Sequence, residues 1–214
     1  MLSVRATRFC LGHRLTFDKH NIEIPCILGL DVSTSITGWS LLSLETSEYK
    51  IGYLPLKNSS DIYSKANKLR EFIRNDLAPY NIKAVYVEED LQRFKRGLSS
   101  ARTLATLTRF NGVVCQICFE EIGLRPEHIN VNVARKSAGI KYDRKDKTKT
   151  TKEKVFEEVK KLINHDWPTK ILKSGPRRGQ EILHPGAYDA ADAYVISVAG
   201  KHQFFVDCDK NSLK

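Results

Sequence analysis

The sequence predicts an α/β fold: a mixed five-stranded sheet, built from an antiparallel three-strand meander plus two further strands, flanked by helices. Three observations predict it. Short runs of apolar and β-branched residues come first, set close together with turn-forming residues between them. Helical stripes then alternate with two more apolar runs. No segment repeats, which sets aside solenoids and propellers.

Cys26 to Val32 reads as a buried strand, Thr37-Gly38 as a turn, Trp39 to Leu44 as the antiparallel partner and Tyr49 to Leu54 as the third strand. From Asp61 to Ala78, Ile62, Ala66, Leu69, Ile73 and Leu77 recur at helical spacing, and Pro79 follows. Ile82 to Val87 returns as a short buried strand. Leu98 to Ile122 is the longest helical pattern, with Ala101, Leu104, Ala105, Cys115 and Phe119 among its apolar positions. Gly112 there allows close approach, and Gly123 is placed as a cap. Ile129 to Val133 reads as the last strand. Thr151 to Asn164 is an amphipathic helix with Val155, Phe156, Val159, Leu162 and Ile163 inward, and Gly186 to Ala199 is the final helix. Two basic stretches without periodicity, Lys141 to Thr150 and Lys173 to Gly179, read as mobile loops that order on a partner.

With 214 residues, 41% of them hydrophobic, the chain suffices for one domain that buries roughly 70% of its unfolded surface. The expected division is a basic extension over 1–25, the folded domain over 26–200 and a tail over 201–214. Thirty-five Lys and Arg against 25 Asp and Glu leave a formal charge of +10. That balance suits a polyanionic partner or a solvated basic surface. Residues 1–25 carry Arg5, Arg8, His13 and Arg14 with no acid before Asp18 and no apolar core of a secretory signal. A transit peptide and a plain basic extension both fit.

Five cysteines, Cys10, Cys26, Cys115, Cys118 and Cys208, have no disulfide spacing and suit an intracellular, reducing setting; cytoplasm, nucleus and organelle are not distinguished. Cys115-Gln116-Ile117-Cys118 is a lone CxxC within a helical pattern and reads as core packing. No apolar run approaches the ~20 residues of a membrane span.

The chemistry lies in misplaced acids. Asp31 ends an apolar strand, Glu88-Glu89-Asp90 ends another, and Asp189 and Asp192 share one face of a helix where apolar residues belong. A carboxylate there loses hydration and must be paired, protonated or bound to metal. Two ionised carboxylates about 4 Å apart repel by roughly 4 kcal/mol at an effective dielectric near 20. Several converging acids therefore call for a divalent cation, and all-oxygen ligation suits Mg²⁺, with Mn²⁺ as a substitute. Singly, each acid has an ordinary role: Asp31 as a turn cap, Glu88 as a surface acid, Asp189 and Asp192 as helix N-terminal acids.

These residues resemble the RuvC-like Holliday junction resolvases of the RNase H-like nuclease superfamily. Leu28-Gly29-Leu30-Asp31, followed by Ser33-Thr34 and Thr37-Gly38-Trp39, is similar to that family's first strand, hairpin and catalytic aspartate. Tyr86-Val87-Glu88 is similar to its strand-ending glutamate, and Tyr188-Asp189-Ala190-Ala191-Asp192-Ala193 to its C-terminal helix. The order of these elements across residues 26–199 also fits.

The resemblance implies an RNase H-like fold and a metal-dependent endonuclease that cuts four-way DNA junctions in pairs. Asp31, Glu88, Asp189 and Asp192 would hold two Mg²⁺ ions, with Asp31 bridging both; Glu89 or Asp90 replaces Glu88 if the strand register slips. It also implies a homodimer, because paired cuts call for two sites related by an isologous interface; the helix around Gly112 is a candidate surface. Such enzymes carry an aromatic shortly after the glutamate. Here Leu91 stands three residues on, and the nearest aromatic is Phe94, flanked by Lys95 and Arg96, able to stack on a base or simply to pack. Arg135, Lys136 and Lys152 are the further DNA-binding candidates.

Two alternatives stay open. An RNase H-like nuclease could act on RNA-containing or flap substrates, since fold does not fix substrate. The chain could bind junctions without cutting. Sugar-kinase and actin-like ATPases share a similar first motif but need two such domains, so no nucleotide cofactor is expected.

Overall fold

The computed structural model describes residues 23–59, 61–89, 101–143 and 145–212. Strands β1 (Cys26–Asp31), β2 (Ile36–Ser43) and β3 (Tyr49–Pro55) form the antiparallel meander. Strands β4 (Ile82–Glu88) and β5 (Glu127–Ile129) add to β1 in parallel, giving the sheet order β3-β2-β1-β4-β5. This is the mixed five-stranded sheet expected.

Period-2 alternation sends successive side chains of β1 to opposite faces. Cys26, Leu28 and Leu30 join a core with Leu69, Ile73, Leu77, Phe110, Val114 and Ile117 of the helices α1 (Ile62–Phe72) and α2 (Ala101–Ile122) and the π-helical turn Ile73–Leu77. Ile27 joins the opposite core with Tyr86, Val155, Phe156, Val195 and Ile196, under α4 (Thr151–Leu162) and α5 (Gly186–Ser212). The sheet is thus covered on both faces, as a sheet with buried parallel strands requires.

Helix starts follow the sequence signals. Asp61 caps α1 through Ser64 N–H, and Thr150 and Glu153 form a reciprocal capping box on α4. Gly123, at φ +82°, closes α2, as its position predicts.

Several expectations need correction. Thr37-Gly38 is not a turn but lies inside β2; Ser33 makes the turn, its Oγ accepting from Ile36 N–H and Ser35 N–H. The strand expected over Ile129–Val133 ends at Ile129. Asn130 accepts from Asn132 N–H and starts a short helix, α3 (Val131–Ser137), so local capping overrides the alternating pattern. Residues 201–212, expected as a tail, continue α5.

The stretch around Lys173–Gly179 is the turn of a hairpin, β6 (Thr169–Ile171) with β7 (Glu181–Leu183), closed by Gly179 N–H to the Leu172 carbonyl. On α2 the buried face is Phe110, Asn111, Val114, Ile117 and Cys118, while Ala101, Ala105, Gly112 and Phe119 are exposed. Among the described residues nothing lies within 4 Å of a Cβ added at Gly112, so this glycine serves no close approach to any of them. Leu162, expected inward, is also exposed. No described helix is long and apolar enough to cross a membrane.

Candidate active site

Three elements bring the acids together. On β1, Gly29 and Asp31 face α5; on β4, Tyr86 and Glu88 face the same side, two residues apart. Helix α5 lies directly across β1 and β2, because glycines remove the side chains that would hold it off. A Cβ at Gly29 would sit 2.6 Å from the Ala193 carbonyl oxygen, and one at Gly38, the cross-strand partner of Asp31, 2.0 Å from that of Asp189. A buried hydrogen bond, Ser40 Oγ to Ser197 Oγ at 2.9 Å, fixes the helix in register. The turn-capping role open to Asp31 is taken by Ser33.

The electrostatics record the convergence. Burial pushes the Asp31 carboxyl well above the usual carboxylate range, and Asp192, Glu88 and Asp189 push it further, against the pull of Lys152. Asp192 is raised to about 6, first by burial, with Glu88 and Asp189 adding and Lys152 and Arg135 opposing. Asp189 and Asp192 are 9% and 7% exposed, so neither repulsion nor attraction is strongly screened.

Among the described residues of its acidic run, Glu88 is the one that acts on Asp31 and Asp192. Glu89 turns to β5, its N–H donating to the Ile129 carbonyl and its carboxylate accepting from Asn130 Nδ2. Asn111 of α2, 3% exposed, donates to the Glu88 carbonyl and fixes the strand end.

Two basic side chains supply positive charge. Lys152 Nζ lies 2.7 Å from Asp189 Oδ1, and an Arg135 terminal nitrogen 3.8 Å from Asp192 Oδ1. Burial is the largest influence on Lys152 and lowers its pKa, but attraction to Asp31, Asp189 and Asp192 outweighs it and the net shift is upward. Lys136 is exposed on α3 and makes no ion pair among the described residues. Phe94, Lys95, Arg96 and Asp90 lie outside the described residues, as do residues 1–22.

Four hard oxygen donors at a buried point suit Mg²⁺ or Mn²⁺ in chemistry. In this side-chain arrangement, however, no three acid, His or Cys side chains among the described residues close into a metal-binding group. Lys152 and Arg135 hold two of the acids instead. A divalent cation would therefore exchange with these ion pairs.

Sequence reasoning missed Gly29, Gly38, Asn111 and Lys154. A glycine inside a strand does signal close backbone approach. A buried asparagine on a helix and a buried lysine carry no such signal. His184 stacks on Tyr53 with ring centroids 4.6 Å apart and accepts from Gly186 N–H at the start of α5. Cys118 is buried as expected for core packing, and Cys115 is half-buried.

With five strands in this order, helices on both faces and acids at the ends of β1 and β4, the architecture is that of the RNase H-like class. Within that class the fold is RuvC-like. RuvC of T. thermophilus in complex with a Holliday junction substrate matches at a TM-score of 0.56 and 16% identity, over 86% of this chain and 95% of that one. A second Thermus thermophilus RuvC structure matches at 0.52 and 17%, over 86% and 96%. At such identities the likeness is one of fold. No family model matches the chain, and the search of curated proteins finds no match.

Proposed function

We propose that this protein is a structure-selective endonuclease that hydrolyses phosphodiesters in four-way DNA junctions with two Mg²⁺ ions, acting as a homodimer that makes paired, symmetric cuts. The observation that carries the reading is the meeting of Asp31, Glu88, Asp189 and Asp192 at one end of the sheet, their charges mutually unfavourable and compensated only in part by Lys152 and Arg135. The RuvC-like fold supports it.

Asp31, Glu88, Asp189 and Asp192 are the residues to hold the cations, which when bound would activate a water and stabilise the leaving oxygen. Lys152, released from Asp189, is placed to meet the charge of a phosphate. Arg135 is placed similarly beside Asp192. The chain's net charge of +10 favours approach of a polyanion.

The test incubates the protein and its Asp31→Asn variant with labelled four-way junction, linear duplex and RNA–DNA hybrid, in Mg²⁺ and in EDTA. Paired symmetric cuts confined to the junction, requiring metal and Asp31, are expected. Asp31→Asn should abolish cutting yet bind the junction as tightly or more so, because a repulsive charge near phosphate is removed. Cleavage of hybrid would assign the protein to ribonuclease chemistry, and tight binding without cutting would leave a structural role.

A further inference from the structure

Beside the site lies a cleft of about 560 Å³, between α3, the first turn of α4 and the loop that precedes α4. That loop, expected to be mobile, is tied down by a buried lysine. Lys154 Nζ donates to the Asp143 carbonyl at 2.8 Å and to the Asp146 carbonyl, and lies 3.4 Å from the Asp146 carboxylate. Asp146 in turn accepts from the Thr148 N–H and hydroxyl, which with Lys154 holds its carboxyl down at about 2. The cleft's acid is thus already satisfied.

Its bases are not. Lys147 and Lys149 line the cleft without an ion pair among the described residues. Arg135 lines it too; its Nε is buried without a hydrogen-bond partner among the described residues, and a terminal nitrogen lies 3.8 Å from Asp192. Thr151 opens α4 at the same cleft, where the positive end of the helix dipole adds to this charge, beside the Glu153 carboxylate of the capping box. Surplus positive charge, a buried unpaired donor and a helix start thus share a space large enough for a nucleotide-sized group.

We propose that this cleft seats a backbone phosphate of the cleaved strand, a neighbour of the scissile one, and so sets where along the strand the cut falls. The inference rests on the nuclease reading above. Arg135 joins the two, since it lines the cleft and also reaches Asp192. The strand would run from the cleft across Lys152 to the acids.

The experiment compares the full chain with a Lys147→Ala/Lys149→Ala variant, both lysines being outside the packed core, with a thermal melt to confirm an unchanged fold. Junction affinity is measured in EDTA from 50 to 200 mM salt. The slope of log affinity against log salt counts neutralised phosphates, about one unit for each, so losing the one phosphate seated in the cleft should lower it by about one and affinity roughly tenfold. A second series uses junctions with one uncharged methylphosphonate at each linkage in turn. The wild-type protein should lose affinity at one linkage near the cut, and the double variant should be indifferent there.

An unchanged slope with unchanged linkage sensitivity overturns the proposal. A lower slope without a position-specific loss also overturns it, because the lysines then act as diffuse charge. Inorganic phosphate that binds the wild-type protein without competing with the junction would assign a free-anion site instead. If the wild-type protein binds and cuts junctions but the variant matches it, only the cleft fails. If the wild-type protein binds no nucleic acid, the nuclease reading fails and the cleft with it.

Discussion

Replacing Gly38 by alanine tests how the acids are held together. The new Cβ would stand 2.0 Å from the Asp189 carbonyl oxygen and 2.3 Å from its carbon, about 1.4 Å inside the 3.4 Å edge of ordinary contact. Both partners are backbone, so no side chain can swing away, and either β2 or the start of α5 must move by about an ångström. Overpacking of this kind costs roughly 1–3 kcal/mol, or about 3–10 °C in melting temperature for a domain this size. The larger effect should fall on cleavage, since α5 carries Asp189 and Asp192, and a 1 Å misplacement can cost on the order of 10²-fold in rate. Gly112→Ala is the control for stability, with nothing among the described residues within 4 Å of the added methyl; it should gain about 0.5–1 kcal/mol from helix propensity. Melting curves and single-turnover cleavage of all three proteins decide the matter. A Gly38→Ala protein that melts and cuts like wild type would refute the account of α5 seated on bare backbone.

Three further outcomes follow from the same geometry. Asp192 is raised from 3.8 to about 6, so its contribution to stability is complete below the unfolded value and is lost as pH rises through about 6. Asp192→Asn should therefore leave metal-free stability near pH 4 unchanged and raise it above pH 6 by up to about 3 kcal/mol; a difference that stays flat from pH 4 to 8 would contradict this. Lys152→Ala should reduce cleavage by about 10²-fold and move the Asp192 titration higher, since Lys152 is the strongest influence lowering it; an unmoved titration, followed by carboxyl NMR, would place the ammonium elsewhere. Ser197→Ala strands the buried Ser40 hydroxyl and should cost about 1–3 kcal/mol, much of it recovered in the Ser40→Ala/Ser197→Ala double variant; denaturant melts of the three proteins read this directly.

What could be read from sequence was what periodicity and charge cost encode. An apolar run ending in Asp31 or Glu88 marks a strand whose last residue needs a partner, and Asp189 and Asp192, three apart among alanines, mark a polar spot on a buried helix face. The five strands and their helices followed from the same patterns. Less legible was anything that depends on what packs across. Thr37-Gly38 has turn composition, yet its glycine is needed under a helix some 150 residues away in sequence. Ile129 to Val133 alternates like a strand, and only the capping geometry at Asn130 shows a helix. The hairpin around Lys173–Gly179 holds by backbone bonds between residues with no apolar alternation. Lys154 looks like any surface lysine until its burial against the loop carbonyls is seen.

The acids of the candidate site come from the first strand, the fourth strand and the final helix, so the site joins the two ends of the fold. Contacts of such long sequence separation close late, because loop entropy must be met before they reward it. During synthesis, β1 and β4 can pair while α5 is still unmade, leaving Asp31 and Glu88 without the helix that completes their surroundings. The site is thus unavailable to every shortened product of translation that lacks residues 186–199. On the proposed activity, a cell making this protein would meet cutting only from chains that already carry residues 186–199.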